Sequence, residues 1–142
     1  MQALAVVLFA VLGAHSAGAQ ASTSSPVRVA TFEQGLGAVL RVRPTGLDAR
    51  RNIRPGSISG LDRWSVDRWV SWRSKRAYAT ATYWWNTPDG RNVRRFRSRL
   101  ILDRVKTCGS HRIYTRITGR FLGSRPPGMP TVLRYPTYKV RC

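Results

Sequence analysis

Apolar and polar residues alternate strictly through two neighbouring stretches of the chain. From Arg95 to Leu102, the positions Phe96, Ser98, Leu100 and Leu102 fall on one side of an extended backbone, and Arg95, Arg97 and Arg99 on the other. From Arg112 to Phe121 the same period sets Ile113, Thr115, Ile117, Gly119 and Phe121 against Arg112, Tyr114, Arg116, Thr118 and Arg120. A period of two marks half-buried strands, because a helical period of 3.6 would mix the two sets. Between these runs, Asp103 to His111 holds Cys108-Gly109-Ser110 and reads as a turn or short loop closing an antiparallel hairpin. The hairpin would show one apolar face and one face rich in arginine.

A third alternating run spans Arg76 to Trp85, where Ala77, Ala79, Ala81, Tyr83 and Trp85 oppose Tyr78, Thr80, Thr82 and Trp84. Its row of alanines predicts close approach by a bulky neighbour, with a tryptophan from the Trp64 to Trp72 segment as the candidate. The stretch Asn86-Thr87-Pro88-Asp89-Gly90 has the residues of a type I turn. Leu61 to Trp72 is ambiguous: Trp64, Arg68 and Trp72 share a helical face, whereas Val70-Ser71-Trp72 suits a strand, and we read it as a strand with an irregular start. Val27 to Thr31 and Gly35 to Arg43 predict two further strands, Asp48 to Asn52 reads as polar connection, and Arg54-Pro55-Gly56-Ser57 as a turn. Gly123 to Pro130 is loop, and Thr131 to Tyr135 and Tyr138 to Val140 read as a last strand interrupted at Pro136, which confines it to an edge or bulge. The expected fold class is all-β, a small antiparallel β-sandwich or barrel of six to eight strands.

The first residues change the picture of compartment. Met1 to Leu12 is apolar and leads to Ala17-Gly18-Ala19, the form of a cleavable signal peptide over residues 1–19, although no Lys or Arg precedes the apolar run. Residues 20–26 then read as a disordered spacer and 27–142 as a single domain; about 120 residues suffice for one core. No later segment is apolar and long enough for a membrane span, so the expected product is a monomer released from the cell or held at its envelope. Every one of the 25 basic and six acidic residues lies after Gln20, giving a formal charge of +19. Only Lys75, Lys106 and Lys139 are lysines, a skew that codon usage explains; the scarcity of acids it does not explain. Such a balance favours polyanionic partners: nucleic acid, acidic cell-wall polymers or anionic lipid head groups.

Two cysteines, Cys108 and Cys142, predict one disulfide in an oxidising compartment. Two cysteines and His111 are too few for a zinc site, and no glycine loop cradles a phosphate, so no cofactor or metal is expected. Arg95, Arg97, Arg99, Arg112, Tyr114, Arg116 and Arg120 are the candidate binding residues, since guanidinium rows beside a ring suit phosphate contacts with stacking. The plainer reading is a solvated face that keeps the sheet soluble. The five tryptophans are expected mainly in packing, with stacking on sugars as the alternative. Catalytic readings are thin. A nuclease or other hydrolase would have to use His111 with Glu33 or Asp103 and an arginine such as Arg112. Asp62 and Asp67, which flank Trp64 like a glycosidase pair, sit beside Arg63 and Arg68 and are more simply salt-bridged.

The succession Arg54-Pro55, Ile58, Trp69-x-x-Trp72, Ala77-x-Ala79-x-Ala81 and Cys108-Gly109 followed by Tyr114-Thr115-Arg116-Ile117 resembles small exported β-rich proteins predicted in high-GC actinobacterial genomes. The resemblance runs from Arg54 to about Phe121 and implies export and a β fold, with no activity attached. Some members carry an extra cysteine pair where this chain has Thr87-Pro88-Asp89-Gly90. Taken together, the expectation is a secreted, basic, non-catalytic binding module of the cell envelope or extracellular space that contacts anionic polymers through its arginine face. The alternatives are a hydrolase centred on His111 and a structural extracellular protein with no specific ligand.

Overall fold

The computed structural model describes residues 25–33, 35–50 and 61–142. The expected leader (1–19), most of the spacer and the turn Arg54-Pro55-Gly56-Ser57 lie outside the described residues. The eight strands are β1 (Arg28–Glu33), β2 (Gly37–Arg41), β3 (Gly46–Arg50), β4 (Leu61–Trp72), β5 (Ala77–Asn86), β6 (Val93–Cys108), β7 (His111–Phe121) and β8 (Val132–Pro136), and no helix occurs among the described residues. They form one sheet in the order β2-β1-β7-β6-β5-β4-β3, with β8 also paired to β7. All pairings are antiparallel except a short parallel one in which Arg28 and Val29 of β1 meet Ile113 and Tyr114 of β7. One edge of β7 is thus shared: β1 takes its first half and β8 its second, from Arg116 to Arg120. The sheet curls so that β3 lies against β1 and β8.

Antiparallel β4 to β7 carry the core. Ala77, Ala79, Ala81 and Tyr83 of β5 face Trp72, Trp69, Val66 and Trp64 of β4 on one side and Leu102, Leu100, Ser98 and Phe96 of β6 on the other. The bulky neighbours expected above the alanines are therefore cross-strand partners in the same sheet. Small beside large lets the indoles of Trp69 and Trp72 meet edge to face at 4.5 Å, and Trp72 meets Tyr114 in the same way at 5.3 Å. Trp64 is 1% exposed and reaches across the interior to β7, where a Cβ added to Gly119 would come within 2.9 Å of its ring.

The inward residues of β4, Trp64, Val66, Trp69 and Trp72, are spaced by two, three and three. The pairing with β5 slips at Asp67 and again at Val70, and both of these extra residues are exposed. Each bulge turns a spacing of two into three, which is why this strand imitates a helical period. In β6 the strand continues through Asp103 to Cys108, where the sequence suggested loop, and the turn is only Gly109-Ser110, with Gly109 at φ +58°. β3 occupies the segment read as polar connection: Leu47 and Ala49 are buried while Asp48 points away. The Thr87–Gly90 turn closes as expected, with the Gly90 amide donating to the Thr87 carbonyl at 2.8 Å.

Cys108 and Cys142 form the expected disulfide, which brings the chain end back to the β6–β7 turn. For the 34-residue separation, loop-closure entropy contributes about 3 to 4 kcal/mol. Cys142→Ser is expected to lower unfolding free energy by about 2 to 4 kcal/mol. Urea titration of oxidised wild type and variant checks this, and an unchanged midpoint would refute it.

Candidate functional site: the arginine face

With the core residues turned inward, the other face of β4 to β8 carries aligned rows. Asp48, Arg63, Trp84 and Arg95 are cross-strand neighbours from β3 to β6; Ser65, Thr82 and Arg97 form the next row; Arg68, Thr80, Arg99 and Arg120 the third; Tyr78, Ile101, Thr118 and Arg134 the fourth. Same-face residues on one strand stand about 6.7 Å apart and direct cross-strand partners about 5 Å. Arg95, Arg97, Arg99 and Arg120, all exposed, thereby form a continuous strip of guanidinium groups. Arg99 sits directly opposite Arg120, and among the described residues neither has a carboxylate partner. Like charges so placed cost roughly 0.2 to 1 kcal/mol. The Asp67 carboxylate, on the strand beyond Thr82, accepts a hydrogen bond from the Thr82 hydroxyl.

Trp84 stands at one end of the strip. Its indole N–H donates to Ser65 Oγ at 2.9 Å, and the Arg95 guanidinium lies over the ring, 4.2 Å from its centre. Cation–π attraction draws that guanidinium onto the ring. At the other end a cleft of about 430 Å³ is lined by Arg104, Lys106, Arg116, Arg134 and Tyr135 among others, which extends the basic surface onto β8. Arg68, Arg104, Lys106 and Arg134 were not singled out from the sequence. Arg134 could have been, because it lies between the inward-facing Leu133 and Tyr135.

The other expected site residues are used differently. Tyr114 is fully buried in the core, with its hydroxyl donating to the Arg73 carbonyl, so it is not a stacking platform on the arginine face. The cause is a phase slip. Arg104 has a left-handed φ of +54°, Thr115 Oγ1 donates to the Arg104 carbonyl at 2.6 Å, and the Arg104–Thr115 pair drops out of the ladder. Both strands spend one residue there, so register is kept while inside and outside exchange, and Val105 and Tyr114 turn inward. Burial pushes the Tyr114 phenol above its ordinary range. Arg112 is diverted to the Ser74 carbonyl at 3.0 Å. Arg116 is clamped by Asp103 through two bonds of 2.6 Å, one from Nε and one from a terminal nitrogen.

That clamp has a pH signature. The hydrogen bond from Arg116 holds the Asp103 carboxyl below its usual range, against the opposing effect of burial. The folded state therefore binds this proton more weakly than the unfolded state. The stability it confers is complete above the unfolded carboxyl pKa of about 3.9 and is lost as pH falls through the lower folded value. Asp103→Asn is expected to lower stability at pH 7 and to flatten the acid limb of a stability–pH profile. An acid limb as steep as that of wild type would refute the assignment.

His111 lies half-exposed in the register pair with Cys108 at the β6–β7 turn, five positions along the strands from the Asp103–Arg116 pair, or about 17 Å. Asp103 is therefore out of its reach, and the Glu33 side chain lies outside the described residues. Asp62 and Asp67 point to opposite faces: Asp62 is buried and accepts from the Tyr83 hydroxyl, while Asp67 is exposed. The expected salt bridges to Arg63 and Arg68 are not the arrangement seen, since Arg63 pairs with Asp48 at 3.1 Å. Among the described residues no group of His, Cys, Asp and Glu could hold a metal ion. Comparison of the chain with protein-family models, with curated proteins and with solved structures finds no match.

Proposed function

We propose that the protein is an extracellular or envelope binding module that holds an anionic polymer along the strip Arg95, Arg97, Arg99 and Arg120, with Arg68 and Arg134 beside it. The curl of the sheet reads as a barrel left unclosed between β2 and β3, with the strip on its outer wall. The observation that carries the reading is Arg99 set directly opposite Arg120 with no acid between them. An arrangement that costs stability in the free protein is relieved when phosphate, sulfate or carboxylate groups lie over it. The leader-like first residues and the disulfide support export.

The test is salt dependence. Four contacts to a single-stranded oligonucleotide predict a log–log slope of roughly −3, about a 50-fold loss of affinity between 50 and 200 mM salt. Binding that is absent at 50 mM, or flat across this range, would sink the proposal. A hydrolase centred on His111 would instead degrade the labelled oligonucleotide and lose that activity in His111→Ala. The distance from His111 to Asp103 predicts an intact oligonucleotide after prolonged incubation.

A further inference from the structure

The row at the end of the strip differs from the others. Beyond Trp84 it continues over Arg63 to Asp48, next to a cleft of about 490 Å³ lined by Arg41, Thr45, Asp48, Arg63, Ser65 and Trp84 among others. A site for phosphate alone gains nothing from a carboxylate, which repels the ligand. Asp48 is only 15% exposed in its side chain, which among the described residues makes one hydrogen bond, accepting at Oδ1 from Arg63 Nε at 3.1 Å; Oδ2 is left as an acceptor in the lining of the cleft. Among the described residues the two terminal nitrogens of Arg63 have no other partner and remain as donors beside it. An acceptor next to paired donors matches vicinal hydroxyls, each of which both gives and takes a hydrogen bond. The hydroxyls of Thr45 and Ser65 add to that set, and the indole of Trp84 supplies an apolar flank for the C–H face of a sugar ring. The cleft is large enough for one or two rings.

We propose that this cleft is a sugar-ring subsite, and that the polymer held by the strip is an anionic glycan whose rings enter beside Trp84 while its charged groups run onto Arg95, Arg97 and Arg99. The assignment rests on the polyanion reading and narrows it. Arg95 links the two parts: its guanidinium, held over Trp84, is the first cation of the strip that a chain leaving the cleft meets. A DNA strand is a poorer fit, because its deoxyribose carries no vicinal hydroxyls for the Asp48 acceptor and the Arg63 donors.

Three probes test this at 50 mM salt: polygalacturonate, which has charged sugar rings; long-chain inorganic polyphosphate, which has charge and no rings; and a 20-residue oligo(dT). Trp84→Ala is expected to weaken polygalacturonate binding about tenfold and polyphosphate binding less than twofold. Asp48→Ala should move the two in opposite directions, weakening polygalacturonate and tightening polyphosphate, since it removes a hydroxyl acceptor and frees the Arg63 cation. Retained polyphosphate binding also shows that each variant is folded. Equal losses for both polymers in Trp84→Ala, or tighter binding of both in Asp48→Ala, would overturn the sugar subsite and leave the arginine strip standing. A larger loss for oligo(dT) than for polygalacturonate in Trp84→Ala would overturn it in favour of a base platform. If wild type binds none of the three, the polyanion reading itself falls.

Discussion

Arg99→Glu should weaken polyanion binding on the order of 30-fold at low salt while leaving the fold as stable as wild type or more so. The two effects have one origin. In the wild type Arg99 and Arg120 face each other across the β6–β7 ladder as like charges. Glutamate at position 99 converts that repulsion into a cross-strand ion pair, favourable by roughly 0.2 to 1 kcal/mol. The same pair removes Arg99 from the strip and neutralises Arg120, so two of about four contacts vanish and the salt slope on a single strand drops by about 1.4. Lys75→Glu, an equal change of charge in the exposed β4–β5 turn, is the control, with an expected loss below threefold. A purely solvating face predicts a different outcome: no polymer affinity to lose, and the same small effect from either substitution. Binding titrations and thermal melts on the same samples distinguish the two.

How far such a surface can be read from sequence depends on whether the backbone keeps its period. β5 and the stretch of β6 from Arg95 to Leu102 keep it, and there the alternation of alanine with threonine, and of leucine with arginine, placed every side chain on its correct face. β4 does not keep it, because Asp67 and Val70 are inserted as bulges and the tryptophans then follow one another at helical intervals. β7 misled in another way. Nothing local marks Arg104 as a left-handed residue, since glycine or asparagine is the usual signal and arginine is not. The alternation therefore reads as continuous in the sequence and puts Tyr114 outside with the arginines. β3 was missed because a five-residue edge strand holding Leu47 and Ala49 carries too little pattern to stand out from polar loop. Arg68 joins the strip only through sheet order, and the order β4-β5-β6-β7 is a non-local property that no periodicity within one strand contains.

The core that turns the arginines outward depends on one close approach, and its disruption gives the largest expected loss of stability. Trp64 on β4 and Gly119 on β7 belong to strands separated by β5 and β6, yet a methyl group at residue 119 would sit 2.9 Å from the indole. Glycine in a central strand forgoes side-chain packing and is normally unfavourable there; here it is the condition for the sheet to curl around the indole. Trp64 meets Tyr83 at 5.3 Å between ring centres, and Tyr83 in turn meets Phe121 edge to face at 5.2 Å, so the ring anchors a chain of aromatics through the interior. Trp64→Ala is expected to cost about 3 to 5 kcal/mol. Gly119→Ala, an addition of one carbon, should cost about 1 to 3 kcal/mol through overpacking. The indole N–H of Trp64 is buried with no hydrogen-bond partner among the described residues. Trp64→Phe removes that orphan donor along with ring volume, so its cost should fall well below that of Trp64→Ala. Because phenylalanine is shorter, Gly119→Ala should become nearly neutral in the Trp64→Phe background, giving a coupling of about 1 to 2 kcal/mol in a double-mutant cycle read by urea unfolding. Strict additivity of the two changes would mean that the indole and residue 119 do not share that space, and the account of how this sheet curls would be wrong.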